Sequence, residues 1–302
     1  MDAASSARAA TDAAGWHVRP MDVDDVAAAM AVIEAAQVAQ GEAGAHAPRT
    51  PPSDEQVAEA RLAHARFVQR DGPGAWVAVS DEQVVGVAES VRRGSFWGLS
   101  MLFVRPHFQS RGIGGRLLEA ALGYAAGADQ RMIQSTPDPR AMRRYFLAGL
   151  AMHPAAELAG RPDRRAIPPS LPGRDGGEAD LDLVASVEAR LGRSRAEDVA
   201  FALSRERLRL DVVDSGPGRG WALWRPDRLV MLGATDEQTA AVLLWRYLGG
   251  SQGEALAYGL TAAQQWAFAV VHQARLTVRV GGALFVDGMA VPGPWIPSGW
   301  YF

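Results

Sequence analysis

The sequence predicts an α+β protein of two domains, and three observations carry that expectation. Apolar periodicity gives the order β-α-α-β-β-β-α-β-α-β over residues 16–157. The same order returns between Asp180 and Val286, as architecture rather than as sequence identity. Between the two, residues 160–177 hold four prolines, four glycines and several charges, the composition of an interdomain linker. The expected division is a disordered tail over 1–14, a first domain over 15–158, a linker over 159–178 and a second domain over 179–302.

The elements follow from local signals. Trp16–Pro20 reads as a strand. Asp22–Asp25 supplies the cap and first-turn acids of a helix to about Gln40. Gly41–Pro52 reads as a loop. Ser53 and Gln56 have capping-box spacing, opening a helix that ends near Arg70. Ala75–Val79 and Gln83–Val91 read as strands joined by the turn Ser80-Asp-Glu82. A strand over Leu99–Val104 and a helix from Arg116 flank a glycine-rich turn. Arg131–Ser135 is the next strand. Pro137-Asp-Pro139 precedes a helix over Arg140–Leu147, which Gly149 stops. Ala151–Pro154 is a short last strand of this half.

In the second half, helices are expected over 180–190, 195–205, 236–248 and 264–274. Strands are expected over 208–213, 220–224, 228–233, 255–260, 276–280 and 283–286. The aromatic, apolar stretch Trp295–Phe302 must be packed against something.

Composition narrows the function. Net charge is −3 and every basic side chain is arginine, so global electrostatics give no argument for nucleic-acid binding. There is no cysteine, which removes disulfides, thiolate metal sites and a cysteine nucleophile. The histidines lie apart, with no metal-ligand spacing. No stretch has the basic-then-apolar pattern of a signal peptide, and none approaches the ~20 apolar residues of a membrane helix. A soluble, cytoplasmic protein without membrane partners is expected.

The chemistry concentrates in Leu99–Tyr124. Gly112, Gly114 and Gly115 crowd a short turn, and Leu117, Leu118, Ala121 and Leu122 then recur at helical spacing. A helix start carries unpaired N–H groups and roughly half a positive charge. Glycines let an anion approach the backbone closely. Gln109–Gly115 is therefore expected to hold a phosphate or pyrophosphate, although glycines alone equally describe a turn that binds nothing. A P-loop needs a lysine, and the chain has none. A dinucleotide fingerprint needs a third glycine where Leu117 stands.

The remaining pattern is Gln109-Ser-Arg-Gly112-Ile-Gly114, preceded by Val104-Arg-Pro106 and followed by a Leu-Leu helix. It resembles the acetyl-CoA-binding motif of the Gcn5-related N-acetyltransferase (GNAT) superfamily. Residues 141–150, with Tyr145 four positions before Gly149, are similar to the family's second motif. The resemblance covers residues 16–157. It implies two tandem GNAT-like domains, each a mixed, mostly antiparallel sheet flanked by helices. The second would be a degenerate copy, as in actinobacterial tandem members. In that copy the turn reads Ala234-Thr-Asp-Glu-Gln-Thr239, whose acids would repel a pyrophosphate.

The resemblance further implies acetyl transfer from acetyl-CoA, a co-substrate, to a primary amine by direct attack on the thioester. Leu102, Phe103 and Val104 would offer backbone groups to the pantetheine arm, which lies beside their strand. Phosphates would rest on Gln109, Ser110, Arg111, Gly112, Ile113, Gly114 and Gly115, with Arg116 adding charge. Tyr145 would protonate the leaving thiolate. The motif strand carries no carboxylate, so Glu89 on the preceding strand is the candidate base. Glu34, Glu42 and His107 are substitutes, and a water chain or an already deprotonated amine would also serve. Trp97 is a candidate for the acceptor pocket or for the core. A non-catalytic acyl-CoA-binding protein is the alternative reading. The acceptor and the oligomeric state, a homodimer among the options, stay open.

Overall fold

The computed structural model describes residues 15–42, 53–205, 208–216 and 218–300. The expected disordered tail and residues 43–52 of the expected loop lie outside these. The chain forms two compact units, one up to Ala128 and one from Asp129 onward.

The first unit begins with β1 (His17–Pro20), a 3-10 turn (Val23–Asp25), α1 (Val26–Glu42) and α2 (Asp54–Asp71). Then come β2 (Ala75–Ser80), β3 (Gln83–Arg93), β4 (Phe96–Val104), a 3-10 turn (Pro106–Phe108) and α3 (Ile113–Gly123). The strands lie in chain order and pair antiparallel. The capping box at Ser53 forms, with the Ser53 hydroxyl accepting from Gln56 N–H. Asp81 and Glu82 both take left-handed backbone, the geometry of a type I′ turn, which suits the twist of the β2–β3 hairpin. Asp71, at the end of α2, accepts from the Arg93 guanidinium, the Arg92 N–H and the Tyr124 hydroxyl, tying three elements together.

α3 starts three residues earlier than its apolar spacing suggests. Two glycines in its first turn cost helix propensity, yet packing outweighs this: Ile113, Gly114, Leu117, Leu118 and Ala121 are all buried. The approach is close. A Cβ on Gly86 of β3 would lie 2.9 Å from Leu117 Cδ1 and 3.1 Å from Ile113 Cγ2.

The second unit holds β5 (Gln130–Ser135), α4 (Pro139–Leu147), β6 (Ala151–Gly160), β7 (Arg174–Gly176), α5 (Leu181–Arg190) and α6 (Ala196–Arg205). It continues with β8 (Arg209–Ser215), β9 (Gly218–Arg225), β10 (Arg228–Ala234) and α7 (Glu237–Gly250). β11 (Ala255–Thr261), α8 (Gln265–Gln273), β12 (Thr277–Asp287) and β13 (Trp295–Ile296) complete it. The sheet order is β5-β12-β6-β11-β10-β9-β8-β7, with β13 on β10. Most pairs are antiparallel and β10–β11 is parallel. The architecture is thus a mixed α/β fold with a mixed sheet flanked by helices.

Three expectations change. The units divide at Ala128 rather than near 158, because β12 pairs with both β5 and β6 and draws 130–160 into the second unit. The expected linker is docked. β6 runs to Gly160, β7 pairs with β8, and Ile167 and Leu171 pack on the core. Arg164 donates to Leu248 O at 3.0 Å and Gly249 O at 2.8 Å, capping α7. Lastly, 276–280 and 283–286 are one strand. Gly281 and Gly282 make a register jump inside it instead of a turn. Gly282 has φ +106°, and a Cβ there would meet Ser135 O.

Among the described residues, no helix is long and apolar enough to cross a membrane.

Candidate active site

β4 and the turn that follows it carry the expected anion site. The turn alternates backbone hands: Ser110 has φ +63° and Gly112 φ +87°, while Arg111 between them is not left-handed. Such alternation brings successive N–H groups together on one anion. Gly112 is the N-cap of α3, and its carbonyl accepts from Gly115 N–H at 2.9 Å and Arg116 N–H at 3.2 Å. Among the described residues, the N–H groups of Arg111, Gly112, Ile113 and Gly114 meet no backbone acceptor. The helix start therefore presents free donors and a partial positive charge.

The side chains here divide by role. Gln109 turns inward and donates to Val104 O at 3.0 Å, bracing the turn against the end of β4. The Arg111 guanidinium lies 5.2 Å from the Phe108 ring centre, so an exposed cation is held at the turn. Arg116 is ion-paired to Glu119 on the exposed face of α3.

β4 contains a bulge. Gly86 pairs with Val104, Val87 with Phe103, Ala88 with Leu102 and Glu89 with Met101, but Ser90 pairs with Leu99. Ser100 is the extra residue, so the strand kinks beside Glu89. Leu102, Phe103 and Val104 are half-buried.

Glu89 is fully buried and meets a partner that sequence reasoning missed. His64 Nδ1, from α2, lies 2.7 Å from Glu89 Oε1 and 2.8 Å from Oε2. His64 is itself 3% exposed. Helical spacing puts His64 on the same face of α2 as Phe67, which marks that face as inward. Nothing in a single sequence pairs it with a residue 25 positions away. Of the substitutes, Glu34 and His107 are exposed, and the Glu42 side chain lies outside the described residues. Trp97 is fully buried with its indole N–H unpartnered, so it belongs to the core of the first unit.

Tyr145 sits in the second unit on α4, capped by Asp138, with Gly149 ending the segment at φ +94°. It is buried and packs edge-on against Phe285, ring centres 5.5 Å apart. Burial pushes its phenol well above the ordinary range.

The second unit repeats the β3–β4–α3 geometry. Gly220 pairs with Ala234, Trp221 with Gly233, Ala222 with Leu232 and Leu223 with Met231, after which Trp224 pairs with Leu229. The bulge falls at the same register as in the first unit. A Cβ on Gly220 would lie 2.8 Å from Leu243 Cδ1 of α7, matching Gly86 against Leu117. By this register Leu102, Phe103 and Val104 correspond to Leu232, Gly233 and Ala234, and Glu89 corresponds to Leu223.

The turns differ. The Gly112 cap lies eight positions after Val104, and the Asp236 cap two positions after Ala234. Asp236 accepts from Thr239 N–H and Thr239 Oγ1, both at 2.8 Å, and from Thr235 Oγ1 at 3.0 Å. Burial alone would raise this carboxyl, but the hydrogen bonds outweigh it and hold it below the ordinary range.

Comparison with known proteins follows the same lines. The profile of the Acetyltransferase (GNAT) family matches residues 42–152. No curated protein matches the chain. A proposed acetyltransferase from Pyrococcus horikoshii superposes with a TM-score of 0.72 at 14% identity, covering 92% of this chain and 91% of its own. A GCN5-related N-acetyltransferase from Sphaerobacter thermophilus gives 0.58 at 16% identity, covering 92% of this chain and 96% of its own. One from Kribbella flavida gives 0.56 at 17%, covering 90% and 71%. At these identities the likeness is one of fold, and it extends over both units. The chain is thus similar to GNAT acetyltransferases by family model over residues 42–152 and in fold over both units.

Proposed function

We propose that the chain is an acyl-CoA-dependent N-acyltransferase, moving an acetyl group from acetyl-CoA to a primary amine, with its cofactor site in the first unit. One observation carries this reading: the left-handed turn at Ser110–Gly112, with the unmet N–H groups of 111–114 at the start of α3. Diphosphate suits that turn. Arg111 adds charge, and β4 offers main-chain groups at Leu102–Val104 to an amide-bearing arm.

The amine lone pair attacks the thioester carbonyl and forms a C–N bond. The carbonyl oxygen takes the negative charge, which a β4 N–H stabilises. The intermediate collapses, the C–S bond breaks, and the CoA thiolate leaves. It takes a proton from solvent. The amine's proton passes to Glu89, held by His64. In the repeat, Leu223 stands at the register of Glu89.

Two measurements test the reading. Acetyl-CoA at about one hundred times its Kd should stabilise the wild type by roughly 2.7 kcal/mol, and should not stabilise Gly114→Asp. A panel of primary amines should then release CoA thiol with the wild type. The absence of any ligand-dependent rise in Tm would end the proposal. The complete enclosure of Glu89 favours a second reading, an acyl-CoA-binding protein without turnover. Ligand stabilisation without thiol release for any amine would support it.

A further inference from the structure

The second unit contains both halves of a cofactor-binding element, and each half is already filled by the chain itself. A strand edge left open needs main-chain partners, and a helix start needs an anion or a cap. β10 and β11 pair as parallel strands only at Arg228–Leu256. Further along, β13 takes up β10: Leu232 pairs with Ile296 and Gly233 with Trp295, and Ala234 N–H donates to Pro294 O at 3.0 Å. These three β10 positions are the register counterparts of Leu102, Phe103 and Val104. At the start of α7, the Asp236 carboxylate takes the Thr239 N–H. A Cβ on Gly218 would lie 2.6 Å from Asp236 Oδ2, so the β9 backbone closes over the cap.

The segment is fixed in place. Trp295 is 5% exposed and Ile296 1%. Gln264 Nε2 donates to Trp295 O at 2.8 Å, and Trp266 Nε1 to Gly293 O at 3.0 Å. The Trp295 ring lies under two buried guanidinium groups, Arg193 at 4.2 Å and Arg195 at 5.3 Å. Arg195 is in turn paired with buried Glu188 at 2.6 Å.

We infer that the second unit is a self-occupied copy of the cofactor element. Residues 294–296 take along β10 the place of the cofactor's amide arm along β4, and the Asp236 carboxylate takes the place of its phosphates. The inference rests on the reading of the first unit as the acyl-CoA site. Its consequence is one acyl-CoA per chain, with the second copy serving as a scaffold that needs no ligand to be complete.

Hydrogen exchange read by mass spectrometry on the whole chain, with and without saturating acetyl-CoA, tests both statements separately. Exchange should slow about tenfold or more over 102–116 and stay within about twofold over 229–239 and 293–298. Slowing over 229–239, or faster exchange over 293–298, would mean that acetyl-CoA reaches β10 and would overturn self-occupation alone. No slowing over 102–116 would overturn the reading of the first unit, and the inference with it. In Trp295→Ala, exchange at Ala234 should rise about tenfold while 84–124 is unchanged; an unchanged Ala234 would also overturn the inference. The wild-type comparison stands even if that variant does not fold.

Discussion

His64 Nδ1 lies 2.7 and 2.8 Å from the two carboxylate oxygens of Glu89 inside the first unit, and both residues are buried. A buried pair of this kind is weak evidence for stability. Replacing both partners by apolar residues is often neutral, whereas removing one is costly because the other stays buried alone. The repeat has made the apolar choice at Leu223. His64→Ala should therefore lower unfolding stability by roughly 3–5 kcal/mol, read from urea midpoints. The double variant His64→Leu/Glu89→Leu should recover most of that loss while amine-dependent thiol release stays absent. Recovery of both stability and turnover in the double variant would assign the pair a packing role only.

Gly112 separates conformational demand from steric demand. A Cβ there would meet nothing closer than Trp16 at 3.9 Å, so space is available, but φ is +87°. Gly112→Ala should cost on the order of 1 kcal/mol in Tm-derived stability, because alanine does not adopt this backbone freely. It should weaken acetyl-CoA binding by more than the stability loss, since any relaxation of φ turns the N–H groups of Ile113 and Gly114 away from a common point. Titration calorimetry on the folded variant reads the second effect directly. Equal affinity would show that the left-handed cap is incidental to binding.

The strand–turn–helix at Leu99–Gly123 was legible because its signals are local. Pro106, the glycine spacing and the Leu117–Leu118–Ala121 face all act within about twenty residues of one another. What sequence reasoning missed are relations between distant backbones. Gly281-Gly282 looks like a turn until β5 and β6 both claim the strand around it. Residues 151–160 look like a strand end and a linker because only their partners, β11 and β12, make them central. His64 reads as one more residue on the inward face of α2, and its role appears only when β3 brings Glu89 beneath it. Trp295–Ile296 was expected to be packed, but the strand that receives it was not readable.

Asp236 makes the stability of the second unit depend on pH in a stated direction. Its folded-state carboxyl is held below the unfolded value, so its contribution is fully present above the unfolded pKa of about 4 and fades as pH falls through the folded value. Asn caps helices about as well as Asp does but does not titrate. The stability difference between wild type and Asp236→Asn should be constant above pH 5 and shrink below about pH 4. Asp236→Ala should lose about 1–2 kcal/mol at neutral pH. An unchanging difference down to pH 2.5 would mean that the carboxylate is not held by Thr239.

Tyr145 makes the stability of the second unit depend on pH at the alkaline end. Burial disfavours the phenolate, so the folded state keeps the Tyr145 proton at pH values where the unfolded chain releases it. Stability from this source is complete below the unfolded pKa of about 10 and falls as pH rises above it. Tyr145→Phe keeps the edge-on contact with Phe285 and removes the proton. Its Tm should match the wild type near pH 7 and fall less steeply above pH 10. An equal alkaline slope in wild type and Tyr145→Phe would mean that the phenol is not held enclosed against Phe285.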